Sequence, residues 1–406
     1  MKVLISCYAC SPVRGSEPGM GWGFVRALSA LHDLHVIVEE EKFRVEIEEW
    51  LKAHPSEMCG VTFHFIPKTR HRLLRRIWPP SYYWFYAAWQ KKALRLAREL
   101  DRKEDFDVVH QLNMVGFREC GGLWRLGKPT VWGPVGGMHL SPWCLLPSIG
   151  LYGMLYYGLR NILNIWDMHM KTGPIRMAFS ADAIISATQD TACAIKRLWD
   201  RSSVIIPEVG SIQAERLSPC RFAGEEPLRI CWCGQHTPAK GLNFLLDALG
   251  RMDNPGHYRL HVLGDGRCTE KWKRMARERR LDGILWHGWV RRESAIKIMS
   301  ACHVLVITSL ADLTSTVLME ALSMGLPVIA PDLFGFSNVL SDSCGVKVPA
   351  TSRQALVSGI KDALARLHDS PEQLRALREG ALKEASLHTF GAKAEIIDEI
   401  YRKIKR

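Results

Sequence analysis

Between residues 228 and 309 the chain repeats one local pattern, a short apolar run followed by a stretch with helical period. The apolar runs are LRICWCGQ, YRLHVLGDG, GILWHGWV and HVLVITS, separated by predicted helices at 241–249, 270–280 and 293–300. Strands alternating with helices at this spacing predict a parallel sheet. Such a sheet takes its ligand at the carboxyl ends of its strands. This half of the chain is therefore committed to an α/β fold, and the strand ends are where its chemistry belongs.

The series continues through residues 309–332, SLADLTSTVLMEALSMGLPVIAPD, as loop, helix, turn and strand. Val317, Leu318, Ala321, Leu322 and Met324 follow a helical period, Thr314 or Ser315 can cap its start, and Gly325 with Pro327 stops it. Val328, Ile329 and Ala330 then form a buried strand. A helix N-terminus carries unpaired N–H groups and the positive end of the macrodipole, so it binds phosphate without a cationic side chain. Asp312 lies in the loop before this helix and Glu320 inside it. One carboxylate can accept from hydroxyls beyond the phosphates and the other from hydroxyls beside them, which is the layout for a nucleotide sugar.

An acidic residue and, after seven residues, the Glu that opens E-A-x-x-x-G-x-P-V-I-A resemble the signature of the retaining glycosyltransferases of family four. The resemblance covers nearly the whole chain, most specifically residues 229–332. It implies a GT-B fold, α/β throughout, with two Rossmann-like domains whose parallel sheets face a central cleft. It further implies that Glu320 holds the ribose hydroxyls, that the backbone of Thr314, Ser315 and Thr316 faces the diphosphate, and that Asp312, where the family usually has Glu, holds the transferred sugar. GQHTPAKG at 234–241 is similar to the family's G-R-L-x-x-x-K-G, in which Arg and Lys neutralise the leaving diphosphate. Lys240 is in place, and Gln235 stands where the Arg would be. Gly264 and Gly288 fall at strand ends where the family's backbone approaches donor and base. In RGSEPGMGWGF, read as a glycine-rich loop before a helix, Gly19 is the implied donor contact, with Glu17 and Gly21 beside it. His139 or His110, on strands implied to line the acceptor side, either approaches the donor sugar or is structural. Candidate catalytic residues are thus Asp312, Lys240 and His139. The donor is UDP- or GDP-linked, and the resemblance implies no metal or other cofactor.

The implied domains are 1–215, on the acceptor side, and 222–389, which binds the nucleotide sugar, with a last helix within 390–406 packing back on the first. Lys plus Arg number 54 against 42 Asp plus Glu, a net +12, which favours an anionic partner. No zinc-finger, RRM or basic-zipper pattern supports nucleic acid. Residues 68–98 mix cations with aromatics, including Arg70, Arg72, Arg75 and Arg76, as an element on an anionic membrane surface does; a solvated basic helix with core aromatics is the other reading. Residues 140–159 carry no charge, and their prolines, serines and glycines favour an interfacial or acceptor-lining segment over a membrane span. The opening MKVLIS is too short for a secretory leader. The 12 cysteines have no repeating spacing and Cys7–Cys10 is a lone C-x-x-C, as in a reducing cytoplasm without a zinc site. Together these lead to an expected cytoplasmic transferase at the inner face of the cell membrane, building cell-surface polysaccharide on a lipid-linked or glycan acceptor. A nucleotide-sugar epimerase of the same fold and a non-catalytic nucleotide-binding subunit are the alternatives, the latter favoured by Gln235 and Asp312.

Overall fold

The structure, a computed structural model, describes residues 1–68, 81–211 and 222–405. The chain forms two compact units, one of Met1–His139, Ile165–Gly210 and Thr389–Arg406, the other of Leu140–Asn164 and Ser211–His388. Residues 140–164, which the expected boundary assigns to the first domain, pack with the second unit, and the C-terminal helix Phe390–Ile404 lies in the first.

The first unit holds β1 (Lys2–Cys7), β2 (Asp33–Glu39), β3 (Val61–Ile66), β4 (Val108–Asn113), β5 (Thr130–Val135), β6 (Ala183–Ser186) and β7 (Val204–Ile205). They make one sheet in the order β3-β2-β1-β4-β5-β6-β7, with every pairing parallel. All residues of β4 and β5 are buried, as strands covered by helices on both faces must be. Phe390 anchors the last helix against Phe24, with ring centroids 5.1 Å apart. A Cβ on Gly23 or Gly210 would stand within 2.7 Å of the Phe390 ring, so both positions need glycine for packing.

The second unit holds β8 (Leu228–Cys233), β9 (Tyr258–Leu263), β10 (Ile284–Gly288), β11 (Val304–Val306), β12 (Val328–Pro331) and β13 (Gly345–Val348). Their order is β10-β9-β8-β11-β12-β13, again parallel. Each sheet therefore reverses direction beside its first strand, and in the second unit that switch point lies between β8 and β11. Open α/β sheets bind ligands in the crevice outside the strand ends at this point. All eight residues of the helix Leu242–Leu249 are buried, which fixes the β8 loop from beneath.

One expectation needs correction, and another falls partly outside the described residues. The stretch read as a glycine loop is helical from Ser16, and the helix runs Ser16–Leu28. Its glycines serve contact: a Cβ on Gly19 would lie 2.5 Å from the Arg14 carbonyl oxygen, and one on Gly21 would lie 2.2 Å from that of Ala9. In the basic aromatic run, Arg70, Arg72, Arg75 and Arg76 lie outside the described residues, and the remainder forms the helix Ser81–Glu104. Tyr86 and Trp89 of that helix are core residues, with the Trp89 indole donating to the Ile66 carbonyl at 3.0 Å, whereas Trp84 is exposed.

Candidate active site

The second unit brings the sequence-predicted donor residues together at the ends of β8 and β11. After Cys233 the chain passes through Gly234 to Thr237, makes one 3-10 turn at Pro238–Lys240, and enters the helix Leu242–Leu249 through Gly241 at φ +65°. A Cβ there would stand 2.5 Å from the Thr308 carbonyl oxygen, so glycine is required on two counts. The Thr308 hydroxyl accepts from the Trp232 indole at 2.9 Å and donates to the Lys240 carbonyl at 2.7 Å, while the Leu310 amide donates to the Ala239 carbonyl at 2.7 Å. The loop bearing Lys240 is thereby tied to the loop bearing Asp312. Across this junction the Lys240 ammonium is ion-paired with the Asp312 carboxylate, both side chains about a quarter exposed.

Beyond Asp312, the helix Thr316–Ser323 starts with no side-chain cap from Ser315. The Leu318 amide already donates to the Ser315 carbonyl at 3.0 Å, and the amides of Thr316 and Val317 are the ones whose helical position leaves them for an anion. Thr314 is buried, and Gly335 is held against it so closely that a Cβ there would lie 2.0 Å from the Thr314 hydroxyl. One turn into the helix Glu320 is buried, and its Oε1 accepts from the Arg292 Nε at 2.7 Å. Arg292 opens the helix Arg292–Ser300 and is itself half exposed. Sequence reasoning missed it. In VRRES nothing marks which of two adjacent arginines turns inward, and its partner stands 28 residues away.

Cys233, at the tip of β8, reports on both charges. Its thiol is pushed up to about 11, mainly by burial and then by the negative charge of Glu320, with Lys240 opposing. It stays a neutral thiol at physiological pH and offers no thiolate nucleophile.

The remaining donor candidates differ in kind. Gly264, at φ +116°, donates from its amide to the Gly288 carbonyl at 2.7 Å, and a Cβ on it would stand 2.0 Å from the Gly234 carbonyl oxygen. Its glycine is therefore demanded by the close approach of neighbouring loops. Gly288 has φ +67° with open space where a Cβ would be. Gln235 is exposed on the β8 loop, and its carbonyl accepts from the Thr237 amide at 2.7 Å.

In the first unit, Gly19 lies inside the helix Ser16–Leu28. The partly buried Glu17 accepts from the Val115 amide at 2.7 Å, and burial raises its carboxyl. His139 is buried just past β5. His110 is structural: completely buried, its Nδ1 lies 2.5 Å from the Tyr401 hydroxyl and its Nε2 2.6 Å from the Gly133 carbonyl. The carbonyl needs a donor, so Nε2 carries the proton and Nδ1 accepts from Tyr401. Burial lowers this imidazole to about 4. Among the described residues no group of three or more His, Cys, Asp or Glu side chains is placed to hold a metal ion.

Comparison with known proteins agrees with this architecture. A structure of Anabaena Alr3699/HepE in complex with UDP matches with a TM-score of 0.63 and 15% identity, covering 99% of this chain and 100% of that one. Sucrose-phosphate synthase from Thermosynechococcus elongatus matches with a TM-score of 0.64, covering 99% and 98% at 15% identity. The chain has the GT-B fold. Residues 227–366 match the family model Glycosyl transferases group 1. The lipopolysaccharide 1,6-galactosyltransferase of Escherichia coli is 36% identical over 96 residues, 23% of this chain and 26% of the relative. The alpha-D-kanosaminyltransferase of Streptomyces kanamyceticus is 24% identical over 188 residues, 45% and 48%. The chain thus spans between a quarter and a half of the length of these relatives.

Proposed function

We propose that this protein is a retaining glycosyltransferase that moves a sugar from a nucleoside-diphosphate donor to a lipid-linked glycan at an anionic membrane surface, in the assembly of cell-surface polysaccharide. The observation that carries the reading is the meeting of Lys240 and Asp312 at the switch point of the second sheet, beside the uncapped helix at Thr316. An ammonium and a row of backbone amides at one strand end suit a diphosphate, and a carboxylate next to them suits the hydroxyls of the attached sugar. Glu320, steadied by Arg292, has a second carboxylate oxygen for the ribose hydroxyls.

In this reaction the bond from the sugar's anomeric carbon to the diphosphate oxygen breaks while a bond to the acceptor oxygen forms on the same face. The acceptor's proton passes to the departing phosphate oxygen. Charge grows on the diphosphate as it leaves, and Lys240 with the first-turn amides is preorganised to stabilise it. Asp312 holds the sugar through its hydroxyls. No step in this scheme uses a metal, so a chelator should leave the rate unchanged.

The testing experiment offers UDP- and GDP-sugars to the full chain and follows nucleoside-diphosphate release, with the product anomer read by NMR. Slow donor hydrolysis with one class of donor, and an α-linked product from an α-linked donor, are expected. A new nucleotide sugar formed without acceptor would mean epimerisation, and nucleotide binding without turnover under any acceptor would mean a non-catalytic subunit.

A further inference from the structure

The helix Gly150–Met170 is apolar on its outer face over the turns that lie in the second unit. Toward the protein it turns Gly153, Tyr157, Gly158, Asn161 and Asn164, all buried, with Tyr157 in the core and Met154 packed against it. Asn161 is fixed there by accepting from the Ser141 amide at 3.0 Å and donating to the Ser141 carbonyl at 2.8 Å. Toward the outside it presents Leu151, Tyr152, Leu155, Tyr156, Leu159 and Ile162, each more than half exposed. A surface helix in water keeps its outer face polar. A continuous apolar face of this kind marks an interaction surface.

Cations stand at its rim, and the nearby Glu270 is paired with Lys273. Arg160 is exposed on the same helix. The guanidinium carbon of Arg267 lies 4.4 Å from the centre of the Tyr152 ring, and the Lys271 ammonium stands 3.1 Å from where a Cβ on Gly150 would be. No Asp or Glu occurs in the sequence between Glu119 and Asp167. We propose that this face docks on the surface of a membrane carrying anionic headgroups, its leucines and tyrosines entering the headgroup boundary and Arg160, Arg267 and Lys271 meeting the lipid phosphates. From Leu151 to Ile162 the face is about 17 Å long at the α-helical rise, and no helix among the described residues is long and apolar enough to cross a membrane. The helix therefore lies along the surface. A second copy of the chain is a poorer occupant, since a two-fold contact brings two cationic rims together. This inference deepens the membrane reading above, and rests on it, by naming the surface that makes the contact.

The test is co-sedimentation of the full chain with vesicles of phosphatidylcholine, with and without phosphatidylglycerol. The wild type should bind the anionic vesicles. The triple variant Leu151→Ser, Leu155→Ser, Leu159→Ser removes only exposed side chains, so its melting temperature and nucleotide binding should be unchanged while its vesicle partitioning falls by about tenfold or more. The variant Arg160→Gln, Arg267→Gln, Lys271→Gln should lose only the preference for phosphatidylglycerol. If the wild type binds and the triple variant binds equally, the membrane reading stands and this face is wrong. If the wild type binds neither vesicle, both fail. A wild-type dimer that the triple variant converts to monomer, with no vesicle binding by either, would show that a second copy covers the face and would overturn the inference.

Discussion

The Lys240 ammonium is paired with the Asp312 carboxylate, 72 residues further along the chain. The group expected to hold the transferred sugar thus partly neutralises the group expected to meet the diphosphate. Both ends remain accessible to solvent, so the pair is worth about 0.2–1 kcal/mol. In the proposed reaction a bound nucleotide sugar would supply each with a new partner.

That pairing makes Asp312→Asn an informative substitution. Removing the carboxylate releases Lys240 from its competitor, and affinity for the free nucleoside diphosphate should rise by about two- to fivefold, the range that such a pair allows. Turnover should fall, because the sugar hydroxyls have lost an ionised acceptor. Calorimetry with the nucleotide and a transfer assay measure the two effects separately. Weaker nucleotide binding would mean that Asp312 does not restrain Lys240.

Glu320 and Arg292 form a second linked pair. Glu320→Gln removes an ionised acceptor and should weaken nucleotide binding by about tenfold or more. Arg292→Ala removes only the steadying contact, which is half exposed, and should cost about two- to fivefold. Titration with the nucleotide checks the order of the effects. An Arg292→Ala loss larger than that of Glu320→Gln would mean that Arg292 touches the ligand itself.

How much of this was legible beforehand depended on how local each signal was. The second unit's strands could be read because buried parallel strands are short, almost wholly apolar and punctuated by glycine, as in VIAP after Gly325 and Pro327. Lys240, Asp312 and Glu320 could be read because each sits at a fixed offset from such a strand end. The start of the first helix was missed because SEPGMGWG is poor in helix formers; Gly19 and Gly21 are there for close contacts with the carbonyls of Arg14 and Ala9, which no local rule reports. Arg292 was missed because its ion pair is long-range. The lack of charge in residues 140–159 pointed to an interfacial segment, but which of its residues face outward was not legible, because apolar residues occupy both sides of the helix, Tyr157 within and Leu151, Leu155 and Leu159 without.

The glycines separate packing from ligand approach. Gly264→Ala drives a Cβ into the Gly234 carbonyl from a strained backbone, and should destabilise the protein by about 1–3 kcal/mol. Gly288→Ala meets no atom and should cost about 1–2 kcal/mol from its left-handed backbone alone. Chemical denaturation of both variants tests the difference. Equal losses would show that the loop contact at Gly264 relaxes freely.

His110 predicts an acid-sensitive first unit. Its folded value of about 4 lies below the unfolded value of about 6.5, so below pH 6.5 the unfolded chain binds the extra proton. The stabilisation is fully present above about pH 6.5 and is lost progressively as pH falls toward 4, with a total of about 3 kcal/mol. Stability measured across that window should have a shallower slope in His110→Gln than in the wild type. An identical slope would mean that His110 takes up its proton in the folded protein.

The most direct measurement is the steady-state kinetics of Lys240→Ala. A cation that meets charge developing on the leaving diphosphate acts most strongly as the glycosidic bond breaks, so kcat should fall by more than KM rises. Loss of one preorganised contact of this type costs about 10²–10³-fold, and a drop in kcat of that size with a small change in KM is the expected result. Unaltered turnover by Lys240→Ala would contradict it, and Gln235 would then mark a site that has lost its transferase chemistry.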